Sequence, residues 1–129
     1  MKQILNILIV SLLIGCGSVE KNVEKNKSSN NLPYTYQTPT QEMLTNGKTI
    51  YYNSCVICHK DGLDGAAQLT DKARWVEYKA KDLGILVQHV HNGYAGHYGT
   101  MTPNGKCREC SKNDLRDAIF YMMAEVGIL

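Results

Sequence analysis

Few residues in this chain have chemistry to offer, and they stand close together. Cys55-Val56-Ile57-Cys58-His59 sets two thiols three positions apart with an imidazole directly after them. A Cys-x-x-Cys-His run is the attachment sequence of c-type haem, in which each thiol adds across a haem vinyl group and the histidine binds the iron. That chemistry needs this spacing. Two intervening residues let both sulfurs reach adjacent corners of one ring, while His59 projects toward the metal at its centre. The imidazole binds neutral through one nitrogen, so its other N–H calls for an acceptor such as a carbonyl.

A second pair, Cys107-Arg108-Glu109-Cys110, is followed by Ser111 instead of a histidine, so a single haem is expected. Other chemistries also use such pairs. Four thiolates could hold zinc, but 48 residues lie between Cys58 and Cys107, far more than zinc ribbons commonly show. A thioredoxin-like dithiol would want a βαβ setting, and no strand pattern precedes Cys55. A purely structural disulfide would leave His59 incidental.

The frame that must position these residues reads as helical, with almost no period-2 alternation. Thr38-Pro39-Thr40-Gln41 has the form of a capping box with proline at the first helical position. Met43, Leu44, Gly47, Ile50 and Tyr51 follow at helical spacing, predicting a first helix to about Asn53. Asp71 can cap a short helix bearing Ala73, Trp75 and Val76. Leu83, Leu86, Val87 and Val90 mark another, closed by Asn92-Gly93. Ser111, with Asp114 three residues on, opens a last helix whose apolar face is Leu115, Ala118, Ile119, Met122 and Val126, ended by Gly127. Four helices joined by glycine-bearing loops predict an all-α domain. Their apolar faces are small for so short a domain, and a large apolar cofactor would complete the core.

The domain is expected to occupy residues 40–129. Ahead of it, Met1-Lys2-Gln3 and an apolar stretch from Ile4 to Ile14 read as a removable signal, residues 1–15, well short of a membrane span. Leu13-Ile14-Gly15-Cys16 resembles a bacterial lipobox, implying cleavage before Cys16 and lipid on its sulfur. Four cysteines then remain, an even number suited to an exported protein. Residues 16–39, rich in Ser, Asn, Lys and Glu, read as a flexible tether. The expected location is the periplasmic face of a bacterial membrane, inner or outer. In the whole chain 14 Lys+Arg stand against 12 Asp+Glu, which excludes a polybasic nucleic-acid binder, and residues 40–129 hold 10 of each, which indicates no strong electrostatic steering.

The folded part resembles a class I c-type cytochrome, and within that class cytochrome c5. The residues carrying the likeness are Gly47-x-x-x-Tyr51, the Cys55–His59 motif, Asp71-Lys72-Ala73-Arg74-Trp75, and Met101-Thr102-Pro103-Asn104-Gly105-Lys106-Cys107-Arg108-Glu109-Cys110-Ser111 leading into Ala118 and Tyr121-Met122. The resemblance implies about four helices around one covalent haem c, with the first and last helices crossing near Gly47 and Tyr121. It also implies iron held by His59 and Met101, and a Cys107–Cys110 disulfide. Trp75 is expected to pack against the haem, with its indole N–H within reach of a propionate.

Two departures from the family pattern stand out. The family's Gly-Ala-Pro, whose proline carbonyl accepts the ligand histidine's N–H, is here Gly65-Ala66-Ala67, and Ala67 is expected to accept instead. The segment from Gly93 to Thr100 is longer than its counterpart, reads as mobile through its glycines, and brings His97 as a second candidate ligand. His89 and His91 are expected at the surface. The function implied is a monomeric one-electron carrier, not an enzyme, working between redox proteins such as a membrane donor complex and a terminal oxidase or reductase. The alternative is a haem enzyme or gas sensor with an open sixth position.

Overall fold

The structure is a computed structural model that describes residues 34–129; the signal segment, Cys16 and most of the tether lie outside the described residues. Helix α1 (Gln41–Ile50) begins where Thr40 is extended, at φ −73° and ψ 161°, with its hydroxyl accepting the Met43 N–H at 3.2 Å. Thr40 therefore caps this helix in place of Thr38, and Pro39 stands outside it. The helical path also runs past Asn53. A π-helical turn over Tyr51–Cys55 leads directly into α2 (Val56–His59), the Val56 N–H reaching back to the Tyr51 carbonyl. Such a wide turn accommodates one extra residue and rotates the residues after it, a change of phase that a 3.6-residue pattern does not register.

Helix α3 (Lys72–Lys79) starts at Asp71, whose carboxylate accepts the Arg74 N–H. Asp82 does the same for α4 (Leu83–Asn92), which Gly93 closes at φ 82°. Helix α5 (Lys112–Val126) opens on the expected Ser111–Asp114 capping box and ends at Gly127 with φ 72°. Lys72 and Lys79 of α3 donate to the Gly127 and Ile128 carbonyls, placing cations where the dipole of α5 favours them.

Helices α1 and α5 cross at Gly47. A Cβ there would stand 2.0 Å from the Asp117 carbonyl oxygen, so only hydrogen permits this approach. One turn on, Tyr51 packs against Tyr121 with ring centroids 5.4 Å apart. Asn46 fastens the crossing by donating to Asp114 at 3.0 Å and to Asp117 at 2.9 Å. Asp117 is buried and paired with Arg116 at 2.7 Å. Phe120, Leu83, Leu115, Met123 and Val87 form the fully enclosed centre. Tyr34 and Tyr36 also pack on this core, so packing begins ahead of residue 40, where two tyrosines in a polar stretch find apolar cover.

Residues 93–100, read as a mobile loop, hold a small antiparallel hairpin of β1 (Tyr94–Gly96) and β2 (Gly99–Met101), with Tyr94 opposite Met101. Strands of three residues are too short for a sequence to display an alternation. Among the described residues no helix is long and apolar enough to cross a membrane.

Candidate haem-binding site

Cys55, Cys58, His59, Trp75 and Met101 all line one cavity, whose remaining walls include Leu86, Val90, Leu115, Ile119 and Met122. The continuous path from α1 through the π turn presents the first three, α3 presents Trp75, and the end of β2 presents Met101. Cys55 is buried, and burial, with the neighbouring Cys58, pushes its pKa up to about 11. Both cysteines carry free thiols.

His59 Nδ1 lies 2.8 Å from the Ala67 carbonyl oxygen. A carbonyl only accepts, so Nδ1 carries the proton and Nε2 keeps its lone pair. Burial lowers the imidazole pKa and the Arg74 charge lowers it further, against the opposing effect of the Ala67 bond. The ring is thereby kept in the neutral form that binds metal.

The loop supplying Ala67 is held from α3. Trp75 Nε1 donates to the Gln68 carbonyl at 2.8 Å, so the indole N–H is engaged by backbone and does not serve a propionate. Trp75 remains a wall of the cavity, its ring centroid 6.1 Å from that of His59. Arg74, which the sequence offered only as part of the family likeness and with no role of its own, bonds to the Gly65 carbonyl. No spacing rule could have found that contact, because it depends on how the loop folds back.

Met101 is followed by a turn at Pro103–Lys106 and then by Cys107 and Cys110, joined as a disulfide with Cα atoms 5.5 Å apart. Gly105 sits at φ 56°, and a Cβ there would come within 3.1 Å of the Met101 methyl. His97 lies in the exposed tip of the hairpin, packed edge-on against Tyr98 at 5.0 Å, and is not among the cavity's lining residues. The glycines around it close a hairpin and do not swing it inward. His89 and His91 are less peripheral than expected. His89 lines the cavity and packs on Tyr94 at 4.5 Å, while His91 Nδ1 meets Asn104 Oδ1 at 2.8 Å, tying α4 to the turn beyond Met101.

An apolar cavity with two free thiols, a neutral imidazole with one free nitrogen and a thioether fits a covalently attached haem. Among the described residues no three His, Cys, Asp or Glu gather as a metal cluster, and the Cys107–Cys110 pair is consumed by its own disulfide. A family profile described as cytochrome c oxidase, cbb3-type, subunit III matches residues 42–122. The chain belongs to the c-type cytochromes of class I. Cytochrome c-555 of Chlorobaculum thiosulfatiphilum is 34% identical over 79 residues, 61% of this chain and 92% of that protein. Cytochrome c5 of Ectopseudomonas mendocina is 37% identical over 68 residues, 53% of this chain and 76% of that one. Among solved structures, a crystal structure of an electron transfer complex of nitrite reductase with cytochrome c matches with TM-score 0.56 and 32% identity. The match covers 63% of this chain and 94% of that one. The cofactor of this cytochrome is covalently bound haem c.

Proposed function

We propose that this cytochrome is a one-electron carrier in which Cys55 and Cys58 hold the haem, and His59 and Met101 are the axial ligands. One observation carries the reading. Residues as distant in sequence as Cys55 and Met101 converge on a single cavity, and His97 lies outside it. When bound, the haem supplies an iron centre that gains and loses one electron. The chain's own part is to set how readily that happens. Met101 offers a soft, neutral donor that favours ferrous iron. The Ala67 acceptor makes His59 a stronger donor, which favours ferric iron, and the apolar walls keep water away. The role proposed is that of a carrier and not of an enzyme, since one-electron exchange asks no residue to move a proton or attack a substrate.

The partners proposed are redox proteins, a membrane donor complex on one side and a terminal oxidase or reductase on the other. The nitrite reductase named with the solved cytochrome c supports a partner of that kind. The protein is proposed to work as a monomer at the periplasmic face of a bacterial membrane, tied by lipid on Cys16. The support for that anchor is Leu13-Ile14-Gly15-Cys16 and the polar stretch that comes after it.

The test uses the purified holoprotein. Met101→Ala should lower the reduction potential and let carbon monoxide bind ferrous iron, whereas His97→Ala should do neither. The reverse pattern refutes the Met101 assignment in favour of His97, whereas ready carbon monoxide binding by the unmutated ferrous protein refutes the carrier reading in favour of the open-site alternative.

A further inference from the structure

The carbonyl that orients His59 follows a loop of unusual backbone conformation. Gly62, Asp64 and Gly65 all have positive φ, at 76°, 52° and 79°, and Asp64 is in that region without being glycine. Short turn bonds close the loop at Gly62, Gly65 and Ala66, but the Ala67 N–H donates none of the backbone hydrogen bonds of the described loops. Ala67 is itself buried in the core, and the direction of its carbonyl is set further by what grips the chain on either side of it.

Both grips come from consecutive residues of α3. After Ala67, Trp75 Nε1 holds the Gln68 carbonyl at 2.8 Å. Before it, Arg74 Nη2 holds the Gly65 carbonyl. Arg74 is itself fixed: its Nε donates to the Tyr78 hydroxyl at 2.9 Å, and its guanidinium lies 4.0 Å from the centroid of the Tyr98 ring. Tyr98 comes from the hairpin, where a Cβ on Gly65 would meet the Tyr98 carbonyl at 1.6 Å and one on Gly99 the Asp64 carbonyl at 1.9 Å. The hairpin tip and the loop are thus in backbone contact, with Arg74 bridging them. Arg74 makes no ion pair among the described residues, where the salt bridge is Arg116–Asp117. A flat cation on an aromatic face, donating to two neutral oxygens from separate nitrogens, is a use that suits arginine and not lysine.

We propose that Arg74 is a positioning residue for the haem-ligating histidine, clamping the Gly65–Ala67 loop against the Tyr98 hairpin so that the Ala67 carbonyl stays on His59 Nδ1. This rests on the reading of His59 as an axial ligand. A tight acceptor makes the imidazole a better donor and stabilises ferric iron; a drifting one weakens that donation and raises the potential. Loss of a positive charge beside the haem would act in the opposite direction, which lets the two effects be told apart.

The experiment measures, on the full holoprotein, the reduction potential and the solvent exchange of the His59 Nδ1 proton by NMR. Arg74→Lys keeps the charge and removes the planar fork. It should raise the potential and speed the exchange by about tenfold. Tyr98→Leu, which removes the platform without touching charge, should shift both the same way by less. Ala66 has φ −61° and ψ 141°, the backbone a residue preceding proline requires, so Ala67→Pro can stiffen the loop by another route. Added to Arg74→Lys, it should return both readouts toward wild type. Wild-type exchange in Arg74→Lys, a potential shift without faster exchange, or no rescue by Ala67→Pro overturns the proposal. If the double variant fails to fold, unchanged exchange in Tyr98→Leu does so alone. His59→Ala separates the underlying reading: if its axial-ligand spectrum equals wild type, the ligand assignment falls, independently of Arg74.

Discussion

Replacing Gly47 with alanine pits two effects of opposite sign against each other. Alanine is the better helix former by about 1 kcal/mol, so by propensity alone Gly47→Ala would stabilise α1. The added methyl, however, would sit 2.0 Å from the Asp117 oxygen, 2.5 Å from its carbonyl carbon and 3.0 Å from the Ala118 nitrogen, where ordinary contact begins at 3.4 Å. All three are backbone atoms of α5, and no side-chain rotation relieves the clash. The helices must move apart by about 1 Å or more, which costs about 1–3 kcal/mol as overpacking. The same movement stretches both Asn46 bonds, now 3.0 and 2.9 Å, past useful length and exposes the Tyr51–Tyr121 contact. Partly buried bonds to carboxylates add about 1–2 kcal/mol. The net expectation is destabilisation by about 2–3 kcal/mol, or a Tm lowered by about 8–24 °C for a domain of this size. Guanidinium unfolding of holoprotein with matched haem content, followed by far-ultraviolet circular dichroism, measures it. A variant within about 0.5 kcal/mol of wild type, or above it, would show that the crossing is looser than the packing argument requires.

Cys16→Ser should move the protein from the membrane to the soluble fraction with its haem spectrum unchanged; continued membrane association contradicts the lipid anchor. Replacing Cys107 and Cys110 together by serine should cost about 2 kcal/mol, as expected for closing a four-residue loop, and recovery of both thiols free in the native exported protein would remove the premise. Burial pushes Asp114 up, but hydrogen bonds from Asn46 and from the Ser111 hydroxyl and amide, with the Arg116 charge, outweigh it and hold the carboxyl below its ordinary value. A depressed folded pKa gives stability that is present above the ordinary carboxylate range, near pH 4, and is lost as pH falls through the folded value. The stability gap between wild type and Asp114→Asn should therefore narrow from about pH 7 to about pH 2, and a gap independent of pH would refute it.

The features legible from sequence alone are local and covalent in scale. Cys55, Cys58 and His59 fall within a single short run, and a haem-attachment motif is legible in sequence because haem is a rigid object of fixed size. The start of α5 at Ser111 and its end at Gly127 are legible for a similar reason: a cap satisfies backbone groups within one turn of itself. The thioether of Met101 lies between these cases, since the run to Cys110 marked it through family likeness and only the folded chain brings it to the cavity of His59. Tertiary contact decided the rest. The Ala67 carbonyl reaches His59 because Arg74 and Trp75 grip the loop around it. Tyr34 and Tyr36 join the core because apolar surface was left uncovered there. His97 lies outside the cavity because residues 94–101 pair as strands and carry it to an exposed tip. Each of these outcomes depends on which segments meet after the helices pack. Their energies come from burial and from hydrogen bonds between residues far apart in the chain, so no window of the sequence contains both partners.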